Sequence, residues 1–392
     1  MYSIQRIVFD NFRNYPSLVL DGLGQLVVIV GDNAIGKTNI IEGIQLVSMI
    51  ESFRRPSWPD VICHGANRAQ VTLDYCFEGV VNSLSLVITD NSRSYRLNDK
   101  DRRPKDLLGH LPAVLFTPND LTVVKGPAER RRELVDRLGC QISRSFFDIK
   151  HEYQQVVKQK NALLRDDNTN SEVLASWNNN LVRLGAALTA HRSSLFDRLL
   201  EAARDVYATI APHETLEARY VPSWELLDPG GLMGLDKSEA GVAKQDSDLR
   251  LRRRETVEED LDAALRRHQA REEASRRSLI GPHRDELAFS LNNRDVRRFS
   301  SQGQQRSITL ALKAAEVRVL RAVTRREPLL LLDDVMSELD EARRRLFIEH
   351  LDAATQVFVT TTDLGYFDES LVSRAQVVHL PIASGGQLKA GA

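Results

Sequence analysis

Over the first third of the chain, apolar residues recur with period two or in short unbroken runs, the pattern of strands. Residues 3–10 alternate weakly and predict a first strand; Asn11-Phe12-Arg13-Asn14-Tyr15-Pro16 reads as a turn, and Leu18-Val19-Leu20 follows. Leu26-Val27-Val28-Ile29-Val30 is unbroken, as a strand buried on both faces should be. The period then becomes helical, with Ile40, Ile41, Ile44, Leu46 and Val47 on one stripe, until Arg54-Arg55-Pro56 breaks it. Residues 71–77, 84–88 and 95–97 are short β-rich segments, with Asp90-Asn91-Ser92 as a hairpin signal. Ala113-Val114-Leu115-Phe116 is another buried strand.

Past Gly126-Pro127 the pattern turns helical. Residues 129–164 carry Leu134, Leu138, Ile142, Phe146, Ile149, Tyr153 and Val157 on one face; a polar turn at Asp166-Asp167-Asn168-Thr169-Asn170 leads to a second helix over 173–211. Together they predict an antiparallel helical hairpin of about 50–60 Å at the helical rise per residue. Residues 216–221 predict a short strand, 228–248 a mobile loop rich in Gly, Ser, Asp and Lys, and 249–278 a strongly charged helix. From Asp285 the α/β pattern returns: strands at 287–291 and 296–299 around an Asn292-Asn293 turn, a helix over 304–324, and Leu329-Leu330-Leu331-Leu332 running into Asp333-Asp334. A helix over 341–351 and a strand over 356–360 follow. The expected fold is α/β, a mixed sheet around a central helix, with one domain split into halves (1–125 and 279–392) by an inserted helical domain (126–278).

At 392 residues, 42% hydrophobic and 27% charged, the chain has the composition of a globular protein with no run long enough to span a membrane. Met1-Tyr2-Ser3-Ile4-Gln5-Arg6 lacks the apolar core of a signal peptide. Three cysteines, Cys63, Cys76 and Cys140, show no metal spacing and fit a reducing compartment. A net charge of −1 excludes a globally basic nucleic-acid binder, so any such affinity comes from a local patch.

Between the unbroken strand and the helical stripe stands Gly31-Asp32-Asn33-Ala34-Ile35-Gly36-Lys37-Thr38, which fits the phosphate-binding pattern Gly-x-x-x-x-Gly-Lys-Ser/Thr. The glycines let backbone N–H groups reach phosphate oxygens. Lys37 supplies a mobile positive charge, Thr38 offers a hydroxyl to Mg2+, and the helix N-terminus points at the anion. Asp333 and Asp334 end a buried strand at the edge where ligands of such sheets gather. Asp333 is the candidate second magnesium ligand, and Asp334 is placed to orient or deprotonate the attacking water. Ser301-Gln302-Gly303-Gln304 opens a helix as a capping box, Ser301 at the N-cap and Gln304 three residues on. That role leaves room for a second, because a capped helix N-terminus beside a glycine admits a phosphate.

Taken together these residues resemble the ABC-type ATPase set in the form used by SMC-like head domains: Walker A at 31–38, signature at 301–304, Walker B ending at Asp333-Asp334, and D-loop Ser337-Glu338-Leu339-Asp340. Finer matches resemble the RecF family: Asn11-Phe12-Arg13-Asn14-Tyr15, Phe116-Thr117-Pro118-Asn119-Asp120-Leu121, Gly126-Pro127 with Arg130-Arg131-Arg132, Gly281-Pro282-His283-Arg284-Asp285, and Ser301 to Arg306. The resemblance implies ATP and Mg2+ as cofactors and adds Arg13 and Asn39 to the nucleotide-binding set. It implies a head-to-tail homodimer in which Ser301 and Gln304 face the γ-phosphate held by the partner's Lys37. It further implies binding to double-stranded DNA near gaps, weak DNA-dependent ATP hydrolysis, and help in loading recombinase with RecO and RecR, in the nucleoid of the cytoplasm. Two departures from transporter ATPases imply slow hydrolysis: the second Walker B carboxylate is an aspartate, and Asp363 stands where transporters carry a histidine.

The candidate DNA contacts are Arg54-Arg55, Arg102-Arg103, Arg130-Arg131-Arg132, Arg252-Arg253-Arg254 and Arg276-Arg277; the commoner reading of each is a solvated helix face paired with nearby acids. His283 reads either as a site residue or as a hydrogen-bonded structural histidine. The rivals are another SMC-like ATPase, disfavoured by an insert too short for a long coiled coil, and a transporter nucleotide-binding subunit, disfavoured by the missing histidine. A DNA-binding scaffold with a dead ATP site is disfavoured by the intact Lys37, Thr38, Asp333 and Asp334.

Overall fold

A computed structural model describes residues 2–54, 56–166, 171–227, 254–349, 356–381 and 387–388. Two compact units divide the chain: Met1–Leu121 with Glu316–Ala392, and Thr122–Ala315. The first unit opens with β1 (Tyr2–Phe12), β2 (Tyr15–Asp21), β3 (Leu26–Val30), α1 (Lys37–Ser48), β4 (Arg68–Phe77), β5 (Val80–Thr89), β6 (Arg93–Leu97), β7 (Lys100–Arg102), α2 (Pro104–Leu107) and β8 (Ala113–Phe116). The second unit holds α3 (Ala128–Ile142), α4 (Arg144–Leu163), α5 (Ser171–Ile210), β9 (Leu216–Val221), α6 (Ser223–Leu227), α7 (Arg254–Ser275), β10 (Glu286–Leu291), β11 (Arg294–Asp295) and α8 (Val296–Phe299). Then α9 (Gln302–Thr324) leads back to the first unit, which closes with β12 (Leu329–Asp333), α10 (Glu341–Glu349), β13 (Val357–Thr361), α11 (Glu369–Val372), β14 (Gln376–His379) and β15 (Gln387–Leu388).

In the first unit the unbroken apolar runs form a five-stranded sheet in the order β14-β3-β13-β12-β8, every pair parallel. Strands covered on both faces need no polar alternation. The alternating segments form a seven-stranded sheet, β15-β2-β1-β4-β5-β6-β7. Along β4, Ala69, Val71, Leu73 and Tyr75 are buried while the residues between them are partly exposed. One apolar core contains residues of both sheets and of α1, whose Ile40, Ile41 and Ile44 are fully buried. Each such side chain stabilises the fold by about 1.5–3 kcal/mol. Gln356 ties the two sheets, accepting from Ile4 N at 2.7 Å and donating to the carbonyls of Ile4 and Gly24 at 2.9 and 2.8 Å. The short strand β14, with only Val377 and Val378 as apolar signal, has no counterpart in the sequence reading.

In the second unit the long helix expected over 129–164 is two helices. Ser143 leaves helical geometry at φ −141° and its side chain caps α4 by accepting from Phe146 N at 3.2 Å. α5 packs against α4 and α7 around Tyr153, Leu181, Leu184, Leu261 and Leu265. The strand expected over 296–299 is the short helix α8, because the Asp295 carboxylate accepts from Arg297 N at 2.8 Å and caps a helical turn there. The Asn292-Asn293 turn does form, both residues in the left-handed region with φ of 48° and 65°. Residues 279–315, which the sequence reading joined to the last third, cluster here because β10 pairs along its length with β9. The loop expected over 228–248 and the start of the charged helix at 249 lie outside the described residues.

Buried charge pairs hold this unit. Arg131 donates from Nε and Nη2 to both carboxylate oxygens of Glu286, at 2.7 and 2.8 Å, and from Nη1 to the carbonyls of Val123, Val124 and Gly126. Arg132 donates to the Asp285 carbonyl, and Arg192 grips Asp136 with two hydrogen bonds. Of the candidate DNA cluster 130–132, Arg131 is therefore withdrawn: it is 3% exposed and fully engaged. Arg252 and Arg253 lie outside the described residues.

His283 is the structural histidine of the two readings. Its Nδ1 lies 2.7 Å from the Tyr153 hydroxyl and its Nε2 3.4 Å from the Ser278 carbonyl. Burial, seconded by Arg284, pushes its pKa down to about 3. The unfolded chain binds a proton at His283 near pH 6.5, and the folded chain does not until about pH 3. Stability is therefore full above pH 6.5 and declines as pH falls toward 3, by up to about 1.4 kcal/mol per pH unit for one proton. Chemical denaturation between pH 6.5 and 5, above most carboxylate titration, is expected to show this slope, and His283→Gln is expected to flatten it.

Candidate functional site

Everything in the first unit's site hangs on the passage from β3 to α1. The parallel sheet fixes where β3 ends, and Gly31 N donates to the Thr361 carbonyl of neighbouring β13 at 3.3 Å. Residues 32–34 then stand exposed in a loop, with Ala34 at φ 64°, before Gly36 turns the chain into α1 at φ 116°. A Cβ on Gly36 would lie 2.5 Å from Asn14 Nδ2 and 2.6 Å from the Tyr15 hydroxyl, so only glycine fits. The partner in that close approach also holds the loop: Asn14 donates to the Ile35 carbonyl at 2.9 Å and accepts from Asn39 at 2.7 Å.

Lys37 is 6% exposed, yet its ammonium meets only backbone carbonyls: Gly31 at 2.6 Å and Asp32 at 2.9 Å. The charge is folded back over its own loop. Among the described residues no carboxylate hydrogen-bonds to it, although Asp334 feels its charge, so an anion in the loop would draw it outward. A second charge centre lies one turn further along α1. Glu42 is fully buried, gripped by Arg13 through two hydrogen bonds at 3.0 and 2.8 Å and touched by Ser52 and Arg54 at 2.7 and 3.2 Å. Arg13 also donates to the Asp60 carbonyl, and Arg54 to Asn39 Oδ1. Arg13 and Asn39, both expected in the nucleotide set, thus brace the loop and α1 through Glu42, Asn14 and Arg54. Glu42 carried no readable signal, since a buried acid on an apolar helix is visible only through its tertiary partners, and Arg54, expected as a DNA contact, is engaged here instead.

Across the sheet, β12 delivers Asp333 and Asp334. Asp333 is 5% exposed and accepts from Thr360 Oγ1 at 2.9 Å, and the Thr38 side chain lies near enough to the same carboxyl to influence its protonation. Burial raises its pKa, while the Thr360 hydrogen bond, the nearby Thr38 and the charge of Arg54 hold it back. The loop threonine and the strand aspartate, 295 positions apart in the sequence, are thus brought to the same edge of the sheet. Asp334 is held at φ 51°, a conformation costing on the order of 1–3 kcal/mol for a non-glycine residue. Its N–H donates to Thr360 Oγ1 at 2.9 Å, but its buried Oδ1 has no hydrogen-bond partner. Burial raises its pKa, Lys37 opposes the shift and Glu338 adds to it. A strained backbone and an orphaned carboxylate oxygen beside a phosphate loop are what a water-positioning group requires. One hydroxyl and one carboxylate at the same edge suit an oxygen-seeking cation whose other ligands are phosphate and water, so the residues fit Mg2+.

The D-loop follows at once: Ser337 Oγ donates to the Asp334 carbonyl at 2.9 Å, and Asp340 pairs with Arg343. Asp363 uses its carboxylate to cap a turn, accepting from Gly365 N at 2.8 Å. Ser301 and Gln304 belong to the second unit. They form the expected capping box: Ser301 N donates to Gln304 Oε1 at 2.8 Å, and Gln304 N donates to Ser301 Oγ at 3.2 Å. With that oxygen accepting from Gln304, the Ser301 hydroxyl proton is left to donate elsewhere.

Known proteins share this architecture. Residues 3–379 match the model of the family described as RecF/RecN/SMC N terminal domain. A DNA replication and repair protein RecF of Synechococcus sp. (strain JA-3-3Ab) is 34% identical over 377 residues, covering 94% of each chain. Another from Staphylococcus epidermidis (strain ATCC 12228 / FDA PCI 1200) is 30% identical over 383 residues, 96% of this chain and 98% of that one. A solved structure of the recombination mediator protein RecF with ATP, in the RecFOR pathway, superposes with TM-score 0.80 at 26% identity over 94% of each chain. An Smc head domain from Pyrococcus furiosus, at 14% identity and TM-score 0.51 over 97% of this chain and 93% of that one, shares the fold. With its phosphate loop, its aspartate pair and its capped signature turn all in place, the chain belongs to the RecF family of SMC-type ATPase heads.

Proposed function

We propose that this chain binds ATP with Mg2+ between two copies of itself, and that the closed pair holds double-stranded DNA near single-strand gaps and helps load recombinase together with RecO and RecR. The observation that carries the ATP half is a buried Lys37 whose hydrogen bonds go to loop carbonyls, set beside an Asp334 with an orphaned carboxylate oxygen, with Thr38 close to Asp333. Lys37 swings from its carbonyls onto the phosphates, and the loop N–H groups and the α1 N-terminus complete the cradle. Thr38 and Asp333 would hold Mg2+, which when bound would neutralise charge on the phosphates. Asp334 orients the attacking water and takes its proton.

The second half of each site is supplied in trans. Ser301 and Gln304 of one copy reach the γ-phosphate held by the other, so the γ-phosphate gates the dimer and hydrolysis releases it. Hydrolysis is slow and DNA-stimulated, since an aspartate is a shorter base than the glutamate of transporters and Asp363 already caps its own turn. The DNA half rests on the relatives; Arg54, engaged with Asn39 and Glu42, belongs instead to the nucleotide side. Among the described residues no helix is long and apolar enough to cross a membrane. Sedimentation velocity tests the gate. The chain is expected to run as a monomer alone and as a dimer with ATP, more completely with duplex DNA; a chain that stays monomeric with ATP contradicts the proposal.

A further inference from the structure

The signature turn is held from one side by a group that no motif contains. Gln304 uses both ends of its amide: Oε1 accepts from Ser301 N, and Nε2 donates to Glu214 Oε1 at 2.7 Å. The other oxygen of Glu214 accepts from the Tyr207 hydroxyl at 2.5 Å. Tyr207 is buried at the C-terminal end of α5, the 40-residue helix of the second unit. Glu214 sits in the short connection after it, which hydrogen bonds pin at both ends. Glu214 N donates to the Ala211 carbonyl at 3.0 Å; Thr215 N donates to Asn292 Oδ1 at 2.8 Å, and Asn292 N returns to the Thr215 carbonyl at 3.1 Å. Arg204 also reaches from α5 to the Leu216 carbonyl at 3.0 Å.

A glutamine amide has two orientations that differ only in which end donates. Glu214, a carboxylate, accepts only, so it forces the NH2 end toward itself and the carbonyl end toward Ser301 N. This orientation closes the capping box and leaves the Ser301 hydroxyl as the outward donor. We infer that Glu214, backed by Tyr207, is the positioning residue of the signature: it sets the Gln304 amide and makes the turn competent to meet a nucleotide on a second copy of this chain. The inference rests on the composite-site reading. It also ties the end of α5 to the nucleotide-facing turn through two hydrogen bonds.

The test is a double-mutant cycle read by ATP-dependent dimerisation in sedimentation velocity, with fluorescent ATP-analogue binding to the monomer as the companion readout. Glu214→Ala is expected to raise the protein concentration at half-dimerisation about tenfold, the scale of one charge-assisted hydrogen bond. Monomer nucleotide affinity is expected to stay unchanged, because the phosphate loop is intact. Glu214→Gln, which keeps an acceptor oxygen, is expected to restore most of the loss. In a Gln304→Ala background, Glu214→Ala is expected to add nothing, since its effect passes through Gln304. Additive losses, or equal losses from Glu214→Ala and Glu214→Gln, overturn the inference in favour of a plain folding role. Tyr207→Phe keeps the ring packing and leaves Glu214 in place; dimerisation weakened with the melting temperature held is expected, and no weakening removes Tyr207 from the device. Ser301→Arg separates the two layers. If it too dimerises with ATP, the composite-site reading fails; if it does not while Glu214→Ala dimerises normally, only the role of Glu214 fails.

Discussion

Lys37→Met is expected to lose at least about a hundredfold in ATP affinity and in turnover, the scale of one or two charge-assisted hydrogen bonds to phosphate removed from a half-enclosed site. The physical case is the company the ammonium keeps. It is buried and its hydrogen bonds go to two backbone carbonyls, Gly31 and Asp32. A purely structural lysine of this burial would carry a carboxylate partner, as Lys160 does with Glu272 at 2.6 Å. Lys37 instead holds its charge in reserve. Methionine keeps the stem's packing, so the melting temperature is expected to move by only a few degrees. Calorimetric titration with ATP and steady-state phosphate release check both. Wild-type binding in the variant would show that the loop is an ordinary strand-to-helix turn.

Asp334→Asn has the second large effect, of a different kind. Turnover is expected to fall by about a hundredfold to a thousandfold, within the range of removing a general base. Nucleotide binding is expected to survive, because Thr38 and Asp333 are untouched, so the ATP-bound dimer accumulates instead of cycling. Asparagine also tolerates the left-handed backbone at this position, φ 51°, so the fold has no reason to shift. Phosphate release and sedimentation in the same preparation separate the two quantities. Unchanged turnover would move the base elsewhere, with Glu338, close enough to raise the Asp334 pKa, as the next group to examine.

How much of this was legible in the sequence depends on the range of the interaction. The unbroken runs at 26–30, 113–116 and 329–332 announced buried strands, and the parallel sheet contains all three. The capping box at Ser301 and Gln304 was readable because its partners lie three positions apart. Local chemistry misled where a single side chain outvoted the pattern. Ser143 splits a continuous apolar stripe by capping, and Asp295 turns four residues of strand-like composition into a helix. Long-range pairs were invisible. Arg131 looked like part of a basic surface cluster until Glu286, 155 positions away, claimed it. Glu42 and Glu214 belong to the same class: each braces a motif from outside it, and neither spacing nor period points to them. The phosphate loop and the aspartate pair were legible as types, but the orphaned Oδ1 and the left-handed backbone of Asp334 are properties of the folded edge alone.

Complementation between two disabled chains tests the site in trans most directly. Lys37→Met cannot hold the nucleotide, and Ser301→Arg cannot complete a partner's site. Each alone is expected to be inactive. Mixed in equal amounts, they form a dimer in which the Ser301→Arg chain supplies an intact phosphate loop and the Lys37→Met chain an intact signature. The account predicts that DNA-stimulated phosphate release returns to as much as about half of the wild-type rate, since only mixed pairs close and each carries one whole site of two. A mixture no more active than the sum of its parts would show that the site does not close between copies, and would contradict the account.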